Sequence, residues 1–303
     1  MDLSVIILSW NTRDLLFECL KSLSENSYTI DVEFIVVDNA SEDDSRDMVR
    51  TEYRQVNLVV NDSNIGFGAG NNTGIRASSG RYILFLNSDT VVMQGALDSM
   101  VNFADAQVDI GIVGPKLLNA DGSLQYSCRR YPNLGTGMFR NTPLGRLFPK
   151  NKFTSDYLYS DWDHNTPKEV DWVSGAALMI RRDLVDKIGA FDEDYFMYCE
   201  DVDLCWRANH TEISEGKPWR VIYLPDSKIF HYIGRSSDRV PTRMTYEFHR
   251  SQHLFYKKRY ASTTPILLRP IIPIGIWSRA AGQLIRHKLT YWRRVFMGEL
   301  PKQ

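Results

Sequence analysis

Apolar residues recur along this chain in two rhythms. Short runs at 4–9, 32–37, 56–60 and 82–86 have the length and β-branched content of strands. Tyr82-Ile83-Leu84-Phe85-Leu86 is apolar throughout, which predicts a strand buried on both faces, as inside a parallel sheet. Between the runs the period lengthens. Leu15, Leu16, Cys19, Leu20 and Leu23 recur at helical spacing, with Asn11 or Thr12 as N-cap. Ser41 and the acids after it open a second helix. Residues 61–72 read as a polar, glycine-rich loop, and a helix then runs to about Ala77. Residues 95–106 are helical and 110–114 form another strand. Repeated β-α-β units predict an α/β architecture with right-handed crossovers.

From about 125 to 167 the periodicity fades, and Gly, Pro, Asn and aromatics mix with Arg129, Arg130, Arg140 and Arg146. A long irregular segment in a compact domain predicts binding loops or a lid. Order returns at 170–180, 184–188, 201–209 and 220–224. Residues 265–277 are apolar but broken by Pro265, Pro270 and Pro273, so they predict no clean membrane-spanning helix. Trp277, Ala281, Leu284, Ile285, Leu289, Trp292 and Phe296 then recur at helical spacing among Arg279, Arg286, Lys288, Arg293 and Arg294. A basic amphipathic helix with tryptophans suits an anionic membrane surface; packing on the protein's own core or on a second subunit is the alternative.

Composition narrows the picture. With 303 residues, 43% hydrophobic and 24% charged, the chain is ordinary globular material for one large or two modest domains. A net charge of −1 gives no general pull toward nucleic acid, so no nucleic-acid partner is expected. Cys19, Cys128, Cys199 and Cys205 form no C-x-x-C pair, which fits reduced thiols in cytosol. Met1-Asp2-Leu3-Ser4 lacks a basic n-region, and no signal peptide is expected.

Four polar clusters follow the first four strands: Trp10-Asn11, Asp38-Asn39, the stretch Asn64 to Asn72, and Asn87-Ser88-Asp89. In a parallel sheet all four arrive at one edge, where ligands bind. Asp38 can accept from a pyrimidine N–H or a ribose hydroxyl. Gly66, Gly68 and Gly70 let backbone approach a ligand, and Asn71 and Asn72 supply amides, although ordinary turn chemistry also explains the glycines. A dinucleotide fingerprint fails, since its third glycine falls on Asn71 and the first βα turn has no glycine. Asp89 can meet a divalent metal and the phosphates it carries, or merely cap a helix. Glu200, Asp201 and Asp203 crowd a helix N-terminus, where the dipole favours ionised carboxylates able to act as a base. His231 follows a predicted strand.

The ordered series Ser4 to Asn11, Val37-Asp38-Asn39-Ala40-Ser41, Asn64-Ile65-Gly66-Phe67-Gly68, Asn87-Ser88-Asp89, Val173-Ser174-Gly175-Ala176-Ala177, Glu200-Asp201-Val202-Asp203-Leu204 and His231 strongly resembles family 2 inverting glycosyltransferases, closest to a rhamnosyltransferase-like branch. The resemblance covers roughly residues 3–240. It implies a GT-A fold: a Rossmann-like, mostly parallel central sheet flanked by helices. Residues 1–240 would be the transferase domain, with a nucleotide-binding half to about 115 and an acceptor-binding half from about 116. Residues 241–303 would be a C-terminal amphipathic helical extension.

The resemblance further implies transfer of a sugar from a nucleotide-diphosphate donor, with inversion, to a glycan or polyprenyl-diphosphate-linked acceptor. The work would be bacterial surface polysaccharide synthesis, in the cytoplasm or on the inner membrane face. Ser9, Asn11, Asp38, Asn64, Gly66, Asn71 and Ser88 would hold the nucleotide, and Trp172, Ser174, Gly175 and Glu200 the sugar and acceptor. Asp89 and His231 would hold Mg²⁺ or Mn²⁺. Asn87 stands where much of the wider fold has the first acid of Asp-x-Asp. Asp201 is the base by the family's Glu-Asp motif, whereas spacing alone does not choose among the three acids. Two other readings remain: a nucleotidyltransferase, which would want a Gly-rich basic loop after the first strand, and a non-catalytic nucleotide or carbohydrate scaffold. Oligomeric state is open.

Overall fold

The computed structural model describes residues 1–140, 142–214, 216–232 and 241–296. The chain begins β1 (Leu3–Ser9), α1 (Arg13–Glu25), β2 (Val32–Asp38), α2 (Ser45–Glu52), β3 (Asn57–Val60), α3 (Phe67–Arg76), β4 (Tyr82–Asn87), β5 (Thr90–Val92), α4 (Ala96–Asp105) and β6 (Ile110–Leu118). Then come β7 (Leu124–Gln125), β8 (Cys128–Arg129), α5 (Leu134–Phe139), α6 (Pro143–Leu147), α7 (Lys152–Leu158), β9 (Lys168–Glu169), β10 (Trp172–Val173) and β11 (Ala177–Arg181). The last part holds α8 (Arg182–Ile188), α9 (Glu200–Asn209), β12 (Glu212–Ser214), β13 (Lys217–Pro218), β14 (Arg220–His231), α10 (Pro241–Phe255), a π-helical turn (Tyr256–Tyr260) and α11 (Ile271–Phe296).

The main sheet runs β3-β2-β1-β4-β11-β6-β14-β5. β1, β2, β3 and β4 are mutually parallel, so their C-terminal ends share one edge, as the polar clusters predict. β11 enters antiparallel between β4 and β6, and β14 lies parallel to β6. β4 is buried on both faces because apolar layers cover both sides of the sheet: Leu84 and Leu86 meet α1 and α4, while Ile83 and Phe85 meet the layer holding α9.

Several boundaries differ from the periodicity reading. The second helix starts at Ser45, not Ser41, because the Ser41 N–H donates to the Asp38 carboxylate at 2.9 Å and its hydroxyl accepts the Asn11 N–H at 3.0 Å. Half of the expected 61–72 loop is helix: α3 begins at Phe67, and Gly70 and Gly74 sit where a Cβ would strike Leu8 and Ile6. Those glycines serve close packing on β1 and β2 rather than loop flexibility. The 125–167 stretch contains three short helices, two of them capped by Asn133 and Asn151 side chains. Ordered segment 170–180 is two strands broken by a turn at 174–176, and 220–224 is the start of a twelve-residue strand.

The last helix starts at Ile271 rather than Trp277, with Pro273 accommodated in its first turn. No helix among the described residues is long and apolar enough to cross a membrane. Trp277 Nε1 donates to His253 on α10 at 3.1 Å and Ala280 is buried, so this end of α11 packs on the protein itself. Ile274, Ile285, Leu289 and Trp292 remain exposed. The side chains of Arg293, Arg294 and Phe296, and all of 297–303, lie outside the described residues, as do 233–240.

Candidate active site

β4 delivers Asn87-Ser88-Asp89 to the ligand edge, and β14 returns antiparallel to β5 with His231 opposite Thr90. That ladder carries His231 Nε2 to 3.3 Å from Asp89 Oδ1, while the Tyr232 N–H donates to the Asp89 carbonyl at 2.9 Å. The surrounding network assigns the histidine's tautomer. The Gln125 amide nitrogen donates to Asn119 Oδ1 at 3.0 Å and to the His231 carbonyl at 3.1 Å, which turns its Oε1 onto His231 Nδ1 at 2.7 Å. An amide oxygen only accepts, so Nδ1 carries a proton, and in the neutral ring Nε2 is then the nitrogen with the lone pair. That lone pair accepts from Asn87 Nδ2 at 3.3 Å and faces the Asp89 carboxylate. An imidazole lone pair beside a carboxylate is a fitting donor set for a divalent cation. Among the described residues no cluster of three His, Cys, Asp or Glu side chains forms, so further ligands would come from phosphate or water.

The side expected to meet the nucleotide centres on Asp38, which is 1% exposed. Its Oδ2 accepts the Ser41 N–H and lies 3.7 Å from Arg46 Nε, whereas Oδ1 is buried without a partner. A desolvated carboxylate oxygen with no donor calls for an N–H or O–H from a ligand. Asn39, absent from the expected contacts, organises the loop after β3. Its Nδ2 donates to Asn64 Oδ1 at 2.9 Å and its Oδ1 accepts from Asn61 Nδ2 at 3.1 Å. Gly66 sits at φ 93°, and a Cβ there would lie 2.5 Å from the Phe196 carbonyl oxygen. Asn71 gives its Nδ2 to the Phe67 carbonyl and keeps a buried, unpartnered Oδ1.

Other expected nucleotide residues face one another. Ser9 Oγ and Ser88 Oγ each lie 2.9 Å from Thr12 Oγ1, a buried hydroxyl relay that joins β1, α1 and the Asp89 loop. Asn11, at φ 54°, accepts the Glu42 N–H at 2.7 Å and locks the first two loops together. These contacts align the edge from behind.

The three acids of α9 have different surroundings. Asp203 is fully buried between Arg207 Nε at 2.9 Å and Arg259 Nε at 2.7 Å. Glu200 is buried with Oε2 unpartnered. Asp201 Oδ2 accepts the Gly175 N–H at 2.9 Å and its Oδ1 accepts the Val202 N–H at 2.8 Å. Burial pushes the Glu200 carboxyl well up, and the neighbouring Asp201 charge adds to it. Burial also raises Asp201, but the two N–H donors and Arg129 oppose that rise. Of the two, Glu200 is pushed the further up, and Asp201 is the one whose charged form has hydrogen-bond donors.

One turn links the two ends of the site. The Ala176 carbonyl accepts the Asn87 N–H at 2.9 Å, two residues before Asp89, and the adjacent Gly175 N–H holds Asp201. A Cβ on Gly175 would come within 3.3 Å of Asp201 Cβ and 3.5 Å of the Phe67 ring, so the turn, α3 and α9 meet there. Ser174 Oγ accepts the Ala176 N–H and shapes the turn. Trp172 is 5% exposed, with Nε1 donating to the Arg130 carbonyl, and supports this region from the core. Thr12, Asn39 and Gln125 carry no motif signal for their roles beyond Asn39's place beside Asp38.

The family model described as "Glycosyl transferase family 2" matches residues 4–189. The chain is 28% identical over 241 residues to the N-acetylglucosaminyl-diphospho-decaprenol L-rhamnosyltransferase of Mycobacterium tuberculosis, covering 76% of each chain. It is 29% identical over 175 residues to the rhamnosyltransferase WbbL of Escherichia coli, covering 55% of this chain and 61% of that one. Among solved structures, the mannosyltransferase PcManGT of Pyrobaculum calidifontis, in complex with GDP-Man and Mn²⁺, superposes with a TM-score of 0.57 at 20% identity, over 99% of this chain and 76% of that one. TarS 1-349 of S. aureus in complex with UDP-GlcNAc gives 0.55 at 19% identity, over 94% and 81%. At these identities the solved structures speak for the fold.

Proposed function

The chain belongs to glycosyl transferase family 2, and from that premise we propose that it moves a sugar, rhamnose by analogy with its relatives, from a nucleotide-diphosphate donor to a glycan or polyprenyl-diphosphate-linked acceptor, with inversion. The observation that carries this reading is the 174–176 turn, which ties the strand leading to Asp89 and the carboxylate of Asp201 to one edge of the sheet. Asp38 Oδ1 receives a base N–H or ribose hydroxyl. Asp89 and His231 hold a divalent cation, Mg²⁺ or Mn²⁺. When bound, that cation supplies Lewis-acid stabilisation of the departing diphosphate. Asp201 takes the proton from the acceptor hydroxyl as that oxygen bonds the anomeric carbon on the face opposite the breaking C–O bond to phosphate. Gly175 and Val202 fix the orientation of its oxygens. Glu200, protonated beside it, donates no competing negative charge.

A nucleotidyltransferase would hold a triphosphate on a basic glycine-rich loop after β1. Here that turn is Trp10-Asn11-Thr12, locked by Ser41 and Glu42. Membrane contact through 265–303 is supported by the exposed Ile274, Ile285, Leu289 and Trp292 beside the exposed Arg286 and Lys288 on α11.

The test is acceptor-dependent release of free nucleoside diphosphate. Asp201→Asn is expected to retain donor binding by calorimetry and to lose roughly 10²–10⁴-fold in kcat. Near-normal turnover in that variant would assign the base elsewhere.

A further inference from the structure

Three arginines from separate segments, Arg129, Arg140 and Arg279, form no ion pair among the described residues, and the first of them acts on the carboxylate of Asp201. Arg129, on β8, lays its guanidinium 4.9 Å from the centroid of Trp172, and its Nη2 donates to the Tyr126 carbonyl at 3.0 Å. Its Nε is buried and unpartnered. Arg140, just past α5, stacks on Tyr157 with 4.8 Å to the ring centroid, and its Nη1 donates to the tyrosine oxygen at 3.1 Å. Arg279, from α11, is half-buried with an unpartnered Nε. It therefore does not belong to the outward basic stripe that the helical spacing suggests. Arg140 senses the other two: burial, first, and then the like charges of Arg129 and Arg279 hold it below the usual arginine range. Burial alone lowers Arg279.

Three half-buried guanidiniums outnumber the one carboxylate shown to act with them, Asp201, and an anion relieves the excess positive charge. Planar arginine forks suit phosphate oxygens. The cluster lies on the acceptor side of the site. β8 pairs with β10, whose following turn holds Asp201, and Arg129 is the positive charge that acts on that carboxylate. The donor's diphosphate is assigned to the Asp89 loop at the other end of that turn. Immediately before Arg140 begins an open hollow with a mostly apolar wall of Phe139, Leu147, Phe148, Pro149 and Phe153, to which Lys150, Asn151 and Lys152 also contribute. Leu147 is 71% exposed and Phe148 53%.

We propose that Arg129, Arg140 and Arg279 cradle the diphosphate of an amphiphilic acceptor, whose sugar hydroxyl meets Asp201 and whose isoprenoid tail leaves across the hollow of α5–α7. This rests on the transferase reading above and specifies its acceptor class. A hydroxyl on the acceptor sugar stands one pyranose ring from an anomeric phosphate, which matches a phosphate site next to the base. A soluble phosphate would have no use for the hollow, and an uncharged lipid none for the arginines. α11 then closes the acceptor site through Arg279 and is part of the substrate machinery.

The test uses the full chain in EDTA, so that no cation engages the Asp89 loop. Geranyl diphosphate, inorganic pyrophosphate and geraniol are titrated calorimetrically into wild type, Arg140→Gln and Arg279→Gln. Thymidine diphosphate with Mn²⁺ is titrated separately as the measure of an intact donor site and fold. Geranyl diphosphate is expected to bind wild type most tightly and each variant at least tenfold more weakly, with thymidine diphosphate unchanged. Equal geranyl diphosphate affinity in all three proteins overturns the cradle. So does geraniol binding as tightly as the diphosphate, or thymidine diphosphate weakening in step with it, which would give the arginines to the donor. Pyrophosphate binding as tightly as geranyl diphosphate removes the tail from the hollow. Failure of wild type to bind thymidine, uridine and guanosine diphosphates alike with Mn²⁺ sinks the transferase reading instead, and the geranyl diphosphate comparison still reads the cradle.

Discussion

Asp203→Asn tests what holds α9 in place. Asp203 is fully buried and joins two cations that come from opposite directions: Arg207 one turn along α9, and Arg259 from the π-helical turn after α10. Arg207 also donates to the Ile188, Gly189 and Ala190 carbonyls, so it keeps partners when the carboxylate is lost. Among the described residues Arg259 has only Asp203 as ion-pair partner. Breaking a buried pair costs about 3–5 kcal/mol, and the solvent edge retained by both guanidiniums, 16% and 22% exposed, points to the low end, about 3 kcal/mol. Unfolding entropy of about 2.1 cal/mol/K per residue is roughly 0.6 kcal/mol/K over 303 residues, so melting should fall by about 5 °C. Urea denaturation is the companion assay, because guanidinium salt would screen the pair being measured. Arg259→Gln should cost less than Asp203→Asn, and the double variant should cost less than the sum. A melting shift under 1 °C for Asp203→Asn, or strict additivity with Arg259→Gln, would refute a bridging role.

Two further outcomes are expected. Glu200→Gln should stabilise the protein at pH 8 and not at pH 4: the folded-state carboxyl binds its proton more tightly than the unfolded one, so wild type loses stability as pH rises from the ordinary glutamate range through the raised value, and the amide escapes that loss. Stability difference independent of pH by urea titration would contradict it. Gln125→Leu removes the acceptor that keeps the proton on His231 Nδ1. It should weaken Mn²⁺ binding in the presence of nucleoside diphosphate by about 10–100-fold and change the imidazole ¹⁵N tautomer pattern, and an unaltered NMR pattern would sink the assignment.

The amino-acid sequence alone determines the sheet's parallel half. Dominantly apolar runs at 4–9, 32–37 and 82–86, the last without a polar residue, need burial on two faces, and the helical periods between them leave parallel pairing as the consistent arrangement. It also determines that the polar clusters after those strands meet at one edge. Tertiary structure decides what periodicity cannot carry, because a repeat reports neighbours along the chain and not the register between distant segments. The β14–β5 ladder brings His231 to Asp89 across more than a hundred residues, and Gln125 from yet another strand orients the ring. Three acids adjacent in sequence look alike on paper. Packing separates them: Asp203 is clamped by arginines, Glu200 is left dry, and only Asp201 has both oxygens on backbone donors. The same holds for Arg279. Its place in the helical repeat says outward, and the docking of α11 on α10 turns it inward, beside charges that no local pattern could have brought to it.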